Sequence, residues 1–488
     1  VVADVTLDWL AHNYKKKFFL WMHLYDPHYP YRPPSPYNQT YKGRLYDGEI
    51  AFADEQVGRL IRFLKEKDLY TVSLIVLSGD HGESLGEHGE QTHGFFIYNA
   101  TLHVPLIVHL PGKVSPGTVS QTVSLVGLMA TVLQELKIDI PQQVQGQGFL
   151  KLISDKKNAT EELSKLYSET YLPRLHFNWS ELRGIESDKY HFIDAPKPEL
   201  YDLTKDPGET QNLFPEKKAV SEEMRAQLAA LIQRYSAGQE LAKKTGLDPA
   251  LMERLKSLGY AGFPGGGTAP TIADRGLPDP KDRIQIYELV SDAIAESQHG
   301  DYAHSSDKLT RALKSDPDSV PFHYLLGLNY YHLSDFSKAV EQLQRALRLS
   351  PDYALAAFQL GLAYARMGNF DDAVTILNRT LQLDPTNFSA AYNLGAAYLQ
   401  LKMIPEATAS FRQCATIAPT YAPGHRALGE MLLYEGSQDA ALAEIRQAVN
   451  LDPHDPAAQS ALAKALAAKG MNAEPVEEMR KTEQPAPR

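Results

Sequence analysis

A carboxylate and an imidazole side by side on a glycine-flanked turn are the residues best suited to chemistry in this chain. The apolar run Leu74 to Ser78 empties into Gly79-Asp80-His81-Gly82-Glu83. Aspartate oxygen and histidine nitrogen both ligate divalent cations, and the glycines permit the backbone angles that would aim the two at one point. The same residues could instead form a polar turn whose aspartate caps the next helix, and the motif alone does not choose. Two more histidine-bearing loops lie nearby. Phe18 to Leu24 runs into Tyr25-Asp26-Pro27-His28-Tyr29-Pro30-Tyr31, and Gly86-Glu87-His88-Gly89-Glu90-Gln91-Thr92-His93-Gly94 precedes the run Val104 to Leu110. Of the five histidines in or beside these loops, His23 falls along an apolar run and reads as a core residue or one that supports the site from behind. His88 reads as a hydrogen-bonding loop residue.

The elements that must position these loops alternate strand-like and helix-like patterns. Phe18 to Leu24, Leu74 to Ser78 and Val104 to Leu110 are short apolar runs that predict buried strands, and Asp47 to Lys67 has the spacing of an amphipathic helix. Such alternation predicts an α/β sheet, in which ligands gather where strands end. Residues 122–136 read as a helix. From about 165 to 213, short segments punctuated by Pro and Gly predict a smaller appended unit, and a polar helical stretch follows to about Leu258.

Gly262 to Asp282 is rich in glycine and proline, which predicts a flexible connector over 261–282. Beyond it the sequence is periodic. Glycines at 327, 361, 395 and 429, prolines at 317, 351, 385, 419 and 453, and alanines at 339, 373, 407 and 441 all advance by 34 residues. Small residues allow two helices to approach closely, and proline ends the second helix of each pair. A 34-residue helix-turn-helix unit with these markers resembles the tetratricopeptide repeat. Four clear units run from Val320 to Asp455, a degenerate one precedes them, and Pro456 to Gly470 reads as a closing helix. Cys414 holds the slot of Ala346, Thr380 and Ala448 and therefore reads as a small packing residue.

The first 260 residues also resemble a known family, the sulfatases of the alkaline-phosphatase-like superfamily. The resemblance rests on FFLWMHLYDPHYPY, YDGEIAFADEQVGRL, LSGDHGESLGEHGE, THGFFIYNATLHVPLIVHLPG and ELYDLTKDPGETQNL, in that order. It implies an α/β alkaline-phosphatase-like partial domain over 1–260, followed by the 261–282 linker, an all-α repeat solenoid over 283–470 and a polar tail over 471–488. It implies a metal-dependent hydrolase of sulfate esters, or of related phosphate or phosphonate esters, using one divalent ion: Ca²⁺ first, with Mn²⁺ or Zn²⁺ as alternatives. Carried over by position, Asp80 and His81 would be metal ligands. His28 would touch the transferred group or leaving oxygen, and His93 would stand where the family often has a sulfate-binding lysine. Arg174 and His176 are further candidates for substrate contact. The family's paired aspartates after a first strand, and its nucleophile within Cys-x-Pro-x-Arg or Ser-x-Pro-x-Arg, do not occur in this sequence. The expectation is a chain that lacks the family's N-terminal part and is inactive alone.

Composition narrows the partners. There are 49 basic and 60 acidic side chains, for a formal charge of −11, so no basic nucleic-acid surface is indicated. No run approaches the roughly 18 apolar residues of a membrane span, and the single cysteine precludes an internal disulfide. The expected partners are an anionic ester and, through the repeats, a protein or peptide. The resemblance favours an extracytoplasmic location. The competing reading is a degenerate hydrolase that acts as a repeat scaffold.

Overall fold

The computed structural model describes residues 1–114, 116–155, 165–236 and 276–471. These residues divide into two compact units. One holds Val1–Tyr171 with 180–236 and 276–281, and the other holds Leu172–Trp179 with 282–471.

In the first unit, α1 (Val2–Asn13) and α3 (Leu45–Glu66) are packed together, α1 burying Ala3, Thr6 and Leu10. Arg59 of α3 pairs with Asp4 at 2.6 Å. The short α2 spans Tyr37–Thr40. Strands β1 (Ile75–Ser78) and β2 (Leu106–His109) form a two-stranded antiparallel sheet with Ile75 opposite His109 and Ser78 opposite Leu106. Between them lies α4 (Asn99–Leu102), and after them α5 (Leu128–Leu136) and α6 (Leu150–Asp155).

Three expectations are corrected in this region. Phe18 to Leu24 is not a buried strand: among the described residues no strand pairs with it, and Phe19 and Trp21 are 78% and 77% exposed. An apolar run becomes a core strand only where a neighbour satisfies its backbone and covers its faces, and here neither condition is met. His23 is exposed for the same reason and is not a core residue. The strands β1 and β2 are likewise only half-buried, and Ile107 points to solvent.

The appended segment is an antiparallel meander, β3 (Leu166–Thr170), β4 (Leu182–Glu186), β5 (Tyr190–Asp194) and β6 (Glu199–Asp202), in that spatial order. The helix α8 (Lys218–Ser236) covers one face, placing Met224 and Leu228 on Ile185, Phe192 and Leu200. All five side chains are buried, worth about 1.5–3 kcal/mol each in apolar transfer. Most of the Gly/Pro-rich stretch, up to 275, lies outside the described residues, as do the expected helix beyond 236 and the tail from 472. Residues 276–281 are held rather than free. The Ser180 amide donates to the Pro278 carbonyl at 2.9 Å, and the buried Asp279 carboxylate accepts the Lys197 amide at 2.8 Å and pairs with Lys281 at 2.9 Å.

The second unit is a run of paired helices. They are α9 (Ile284–Gln298), α10 (Tyr302–Ser315), α11 (Val320–His332), α12 (Phe336–Leu349), α13 (Ala354–Arg366), α14 (Phe370–Leu383), α15 (Phe388–Gln400), α16 (Ile404–Ile417), α17 (Ala422–Tyr434), α18 (Gln438–Leu451) and α19 (Pro456–Ala468). The repeated glycines have a direct steric cause. A Cβ on Gly327, Gly361, Gly395 or Gly429 would stand 2.7, 2.7, 2.7 or 2.4 Å from Leu343, Leu377, Phe411 or Ile445 on the next helix. The repeated alanines are fully buried on that helix. Cys414 is buried as a packing residue, and burial pushes its thiol up to about 11. The segment α7 (Leu172–Phe177) belongs to this unit although it precedes β4. Phe177 stacks on Trp179 at 4.7 Å and meets Phe322 at 5.9 Å, and the Trp179 indole donates to Asp316 at 2.9 Å.

Candidate active site

Three of the predicted site histidines converge in the first unit. The His81 and His93 rings stack with centroids 4.0 Å apart, and His28 meets His93 edge-on at 5.2 Å. Each ring is anchored through the same nitrogen. His81 Nδ1 lies 2.9 Å from the Gly82 carbonyl, His28 Nδ1 lies 2.6 Å from the Tyr29 carbonyl, and His93 Nδ1 lies 3.2 Å from a Glu83 carboxylate oxygen. Carbonyls and carboxylates only accept, so Nδ1 carries the proton in all three rings and Nε2 is left for chemistry.

The turn after β1 sets His81. The Gly82 amide donates to the Thr101 carbonyl at 2.7 Å, bringing the turn so close to α4 that a Cβ on Gly82 would lie 2.3 Å from the Ala100 carbonyl oxygen. Only glycine allows that approach. Asp80 accepts the His81 amide at 3.0 Å through Oδ1, while Oδ2 lies 3.9 Å from His81 Nε2. Its side chain is 77% exposed. The aspartate oxygen and the imidazole nitrogen are therefore adjacent, with the carboxylate open to solvent. The pair fits two positions of a divalent-cation site. Among the described residues no three His, Cys, Asp or Glu side chains form a complete cation site.

Two buried glutamates hold the other rings, and neither was singled out in the sequence. The Glu83 side chain is 3% exposed, and its hydrogen bond raises the His93 pKa against the opposing effect of burial, favouring imidazolium. Glu49, on α3, accepts the His28 amide at 3.0 Å and the Arg32 amide at 2.5 Å and so fixes the loop between them. Burial raises the Glu49 pKa despite those two donors. The available signal was a glutamate on the inward stripe of an amphipathic helix, where an unpaired carboxylate would be costly. Tyr25 stacks on His28 at 4.4 Å and its hydroxyl lies 2.9 Å from His28 Nδ1.

The remaining candidates have other surroundings. His88 stacks on Tyr98 at 3.5 Å, and burial lowers its pKa. Arg174 and His176 stand on α7 in the second unit, where His176 lies beside Phe177 at 6.1 Å.

The Sulfatase family profile matches residues 1–138, and the profile for the C-terminal region of N-sulphoglucosamine sulphohydrolase matches 86–234. Tetratricopeptide repeat profiles match 292–354, 330–398 and 367–431. Arylsulfatase K of Homo sapiens is 32% identical over 182 residues, covering 35% of this chain and 34% of that protein. The N-acetylglucosamine-6-O-sulfatase of Bacteroides thetaiotaomicron is 27% identical over 177 residues, covering 35% and 32%. The solved structure of YrrB, a TPR protein with an unusual peptide-binding site, aligns with 20% identity and a TM-score of 0.33, covering 36% of this chain and 89% of its own. The chain spans about a third of the length of the curated sulfatases it matches. Residues 1–234 are a sulfatase-family region, followed by C-terminal tetratricopeptide repeats.

Proposed function

We propose that residues 1–234 carry one side of a metal-dependent hydrolase site for sulfate esters, or for phosphate or phosphonate esters of similar charge and shape. The observation that carries this reading is the convergence of three imidazoles, each tied through Nδ1 and each presenting Nε2, beside the exposed Asp80 carboxylate. Asp80 and His81 would hold a divalent ion, Ca²⁺ before Mn²⁺ or Zn²⁺. That ion, when bound, supplies a positive charge that stabilises the ester's developing negative oxygens. His93, favoured as imidazolium by Glu83, would bind the anionic group in the position where the family often has a lysine. His28, held by Glu49 and Tyr29, would act as the imidazolium, keeping its Nδ1 proton on the Tyr29 carbonyl and giving the Nε2 proton to the leaving oxygen. The nucleophile motif that the resemblance implies is not within these 488 residues, so this chain alone is expected to bind metal and anion without turnover.

Titration of Ca²⁺, Mn²⁺ and Zn²⁺ into the chain by calorimetry, with turnover assays on aryl sulfate, phosphate monoester and phosphonate ester, tests this reading. Unchanged metal affinity in Asp80→Ala with His81→Ala would sink the ligand assignment. For the second unit we propose protein or peptide binding through the repeats, on the strength of the regular α9–α19 pairing. The scaffold alternative, with a hydrolase region that has lost its chemistry, predicts a repeat-bound partner and neither metal nor anion binding at 80–93.

A further inference from the structure

The segment Asp206-Pro207-Gly208-Glu209 has no place in the chemistry above, yet it supplies a buried acid at the back of the site. Glu209 is 2% exposed and has φ of 54°. One carboxylate oxygen accepts the Asn99 amide at 2.6 Å, across 110 residues of sequence, and the other lies 2.5 Å from Nδ1 of the fully buried His191 on β5. Asp206 braces the turn by accepting the Thr210 and Gln211 amides at 2.8 and 2.7 Å. Asn99 opens α4, and α4 is the element against which Gly82 is pressed, through the Gly82 amide to the Thr101 carbonyl and the Ala100 oxygen over the missing Cβ. A continuous path of hydrogen bonds and close contact therefore runs from β5 through Glu209 and α4 to the residue that follows His81.

We propose that Glu209 is a positioning residue: it fixes the start of α4 and thereby the Gly82 turn that aims His81. A buried carboxylate satisfied on both oxygens is rigid, because losing either partner leaves an uncompensated charge. The purpose assigned to His81 rests on the hydrolase reading, whereas the mechanical link does not.

Hydrogen exchange of the full chain, free of metal and substrate, is the test. Glu209→Ala should accelerate exchange by about tenfold in peptides covering 79–86 and 97–103, while 190–202 keeps its protection. Glu209→Gln, which can still accept from Asn99 and bond His191, should return 79–86 to within about twofold of the parent protein. Asn99→Pro removes only the donor. Proline suits the first helical position, and Tyr98 already has the extended backbone that must precede it, so this variant decides the matter if Glu209→Ala does not fold. Unchanged exchange at 79–86 in every folded variant overturns the proposal, as does acceleration spread equally through 190–202. Because nothing in the readout depends on ester cleavage, a hydrolase reading refuted by Asp80→Ala with His81→Ala would leave this result standing.

Discussion

The repeat array and the histidine cluster both depend on glycines that let two pieces of backbone approach, but they use them differently. In the array, Gly327, Gly361, Gly395 and Gly429 each face a side chain 16 residues later, the same contact four times. In the cluster, Gly82 faces a backbone oxygen 18 residues later, once, and its neighbours come from positions as distant as 28, 93 and 209. A contact made repeatedly at one spacing is a pattern; a contact made once is invisible until the chain is folded.

The largest effect expected from breaking this comparison is on the cluster. Asp80→Ala with His81→Ala should weaken divalent-metal binding by about 100-fold or more, read by calorimetry, since altering only the groups that support a ligand already costs 10–100-fold. In the array, Gly429→Ala should destabilise the protein by about 2 kcal/mol in thermal or denaturant unfolding. Its Cβ would meet Ile445 at 2.4 Å and the Ala441 carbonyl at 3.0 Å, and that overpacking exceeds the roughly 1 kcal/mol gained from alanine's helix propensity. Gly82→Ala should instead leave the array intact and shift the His81 ring resonances, because the obstacle there is backbone.

Histidine titration sharpens the contrast. The Glu83 hydrogen bond holds the His93 pKa above the ordinary histidine value, so in metal-free protein His93 should titrate later than a free imidazole by NMR. Glu83→Gln should bring it down. The stability contributed by this pair is complete below the ordinary histidine range and fades as pH rises through the raised value, and the variant should lose that dependence. The smallest effect is at the repeat turns. Gly300, Gly368, Gly436 and Gly470 have positive φ, and Ser334 and Lys402 occupy the same 34-residue series at 62°. Lys402→Gly should therefore stabilise by about 1 kcal/mol, the cost of that conformation for an L-residue.

What was legible follows the same division. The array helices and the helix expected over Asp47 to Lys67 could be read because their residues repeat at the period of the element they form, whereas 165–213 was legible only as a smaller appended unit and its four strands were not. Asp80, His81, His28 and His93 were found through ordered motifs, and three of the four proved to be neighbours through their rings, with Asp80 beside His81. Glu49 and Glu83 were missed because an acidic residue in sequence looks solvated, and only tertiary contact shows that each accepts from a site residue. The run 18–24 was misread because apolarity marks a strand only when something pairs with it, which sequence composition does not show. Phe177 and Trp179 join the repeats for a comparable reason: their aromatic partners, Tyr287 and Phe322, lie more than a hundred residues away.

The glycine seam has a consequence for how such a molecule can be edited. Because each seam closes inside a single 34-residue module, a module can be deleted or duplicated in frame and the flanking modules will meet surfaces like those they lost. Lengthening or shortening the array is thus a matter of copying, open to recombination and to protein engineers alike.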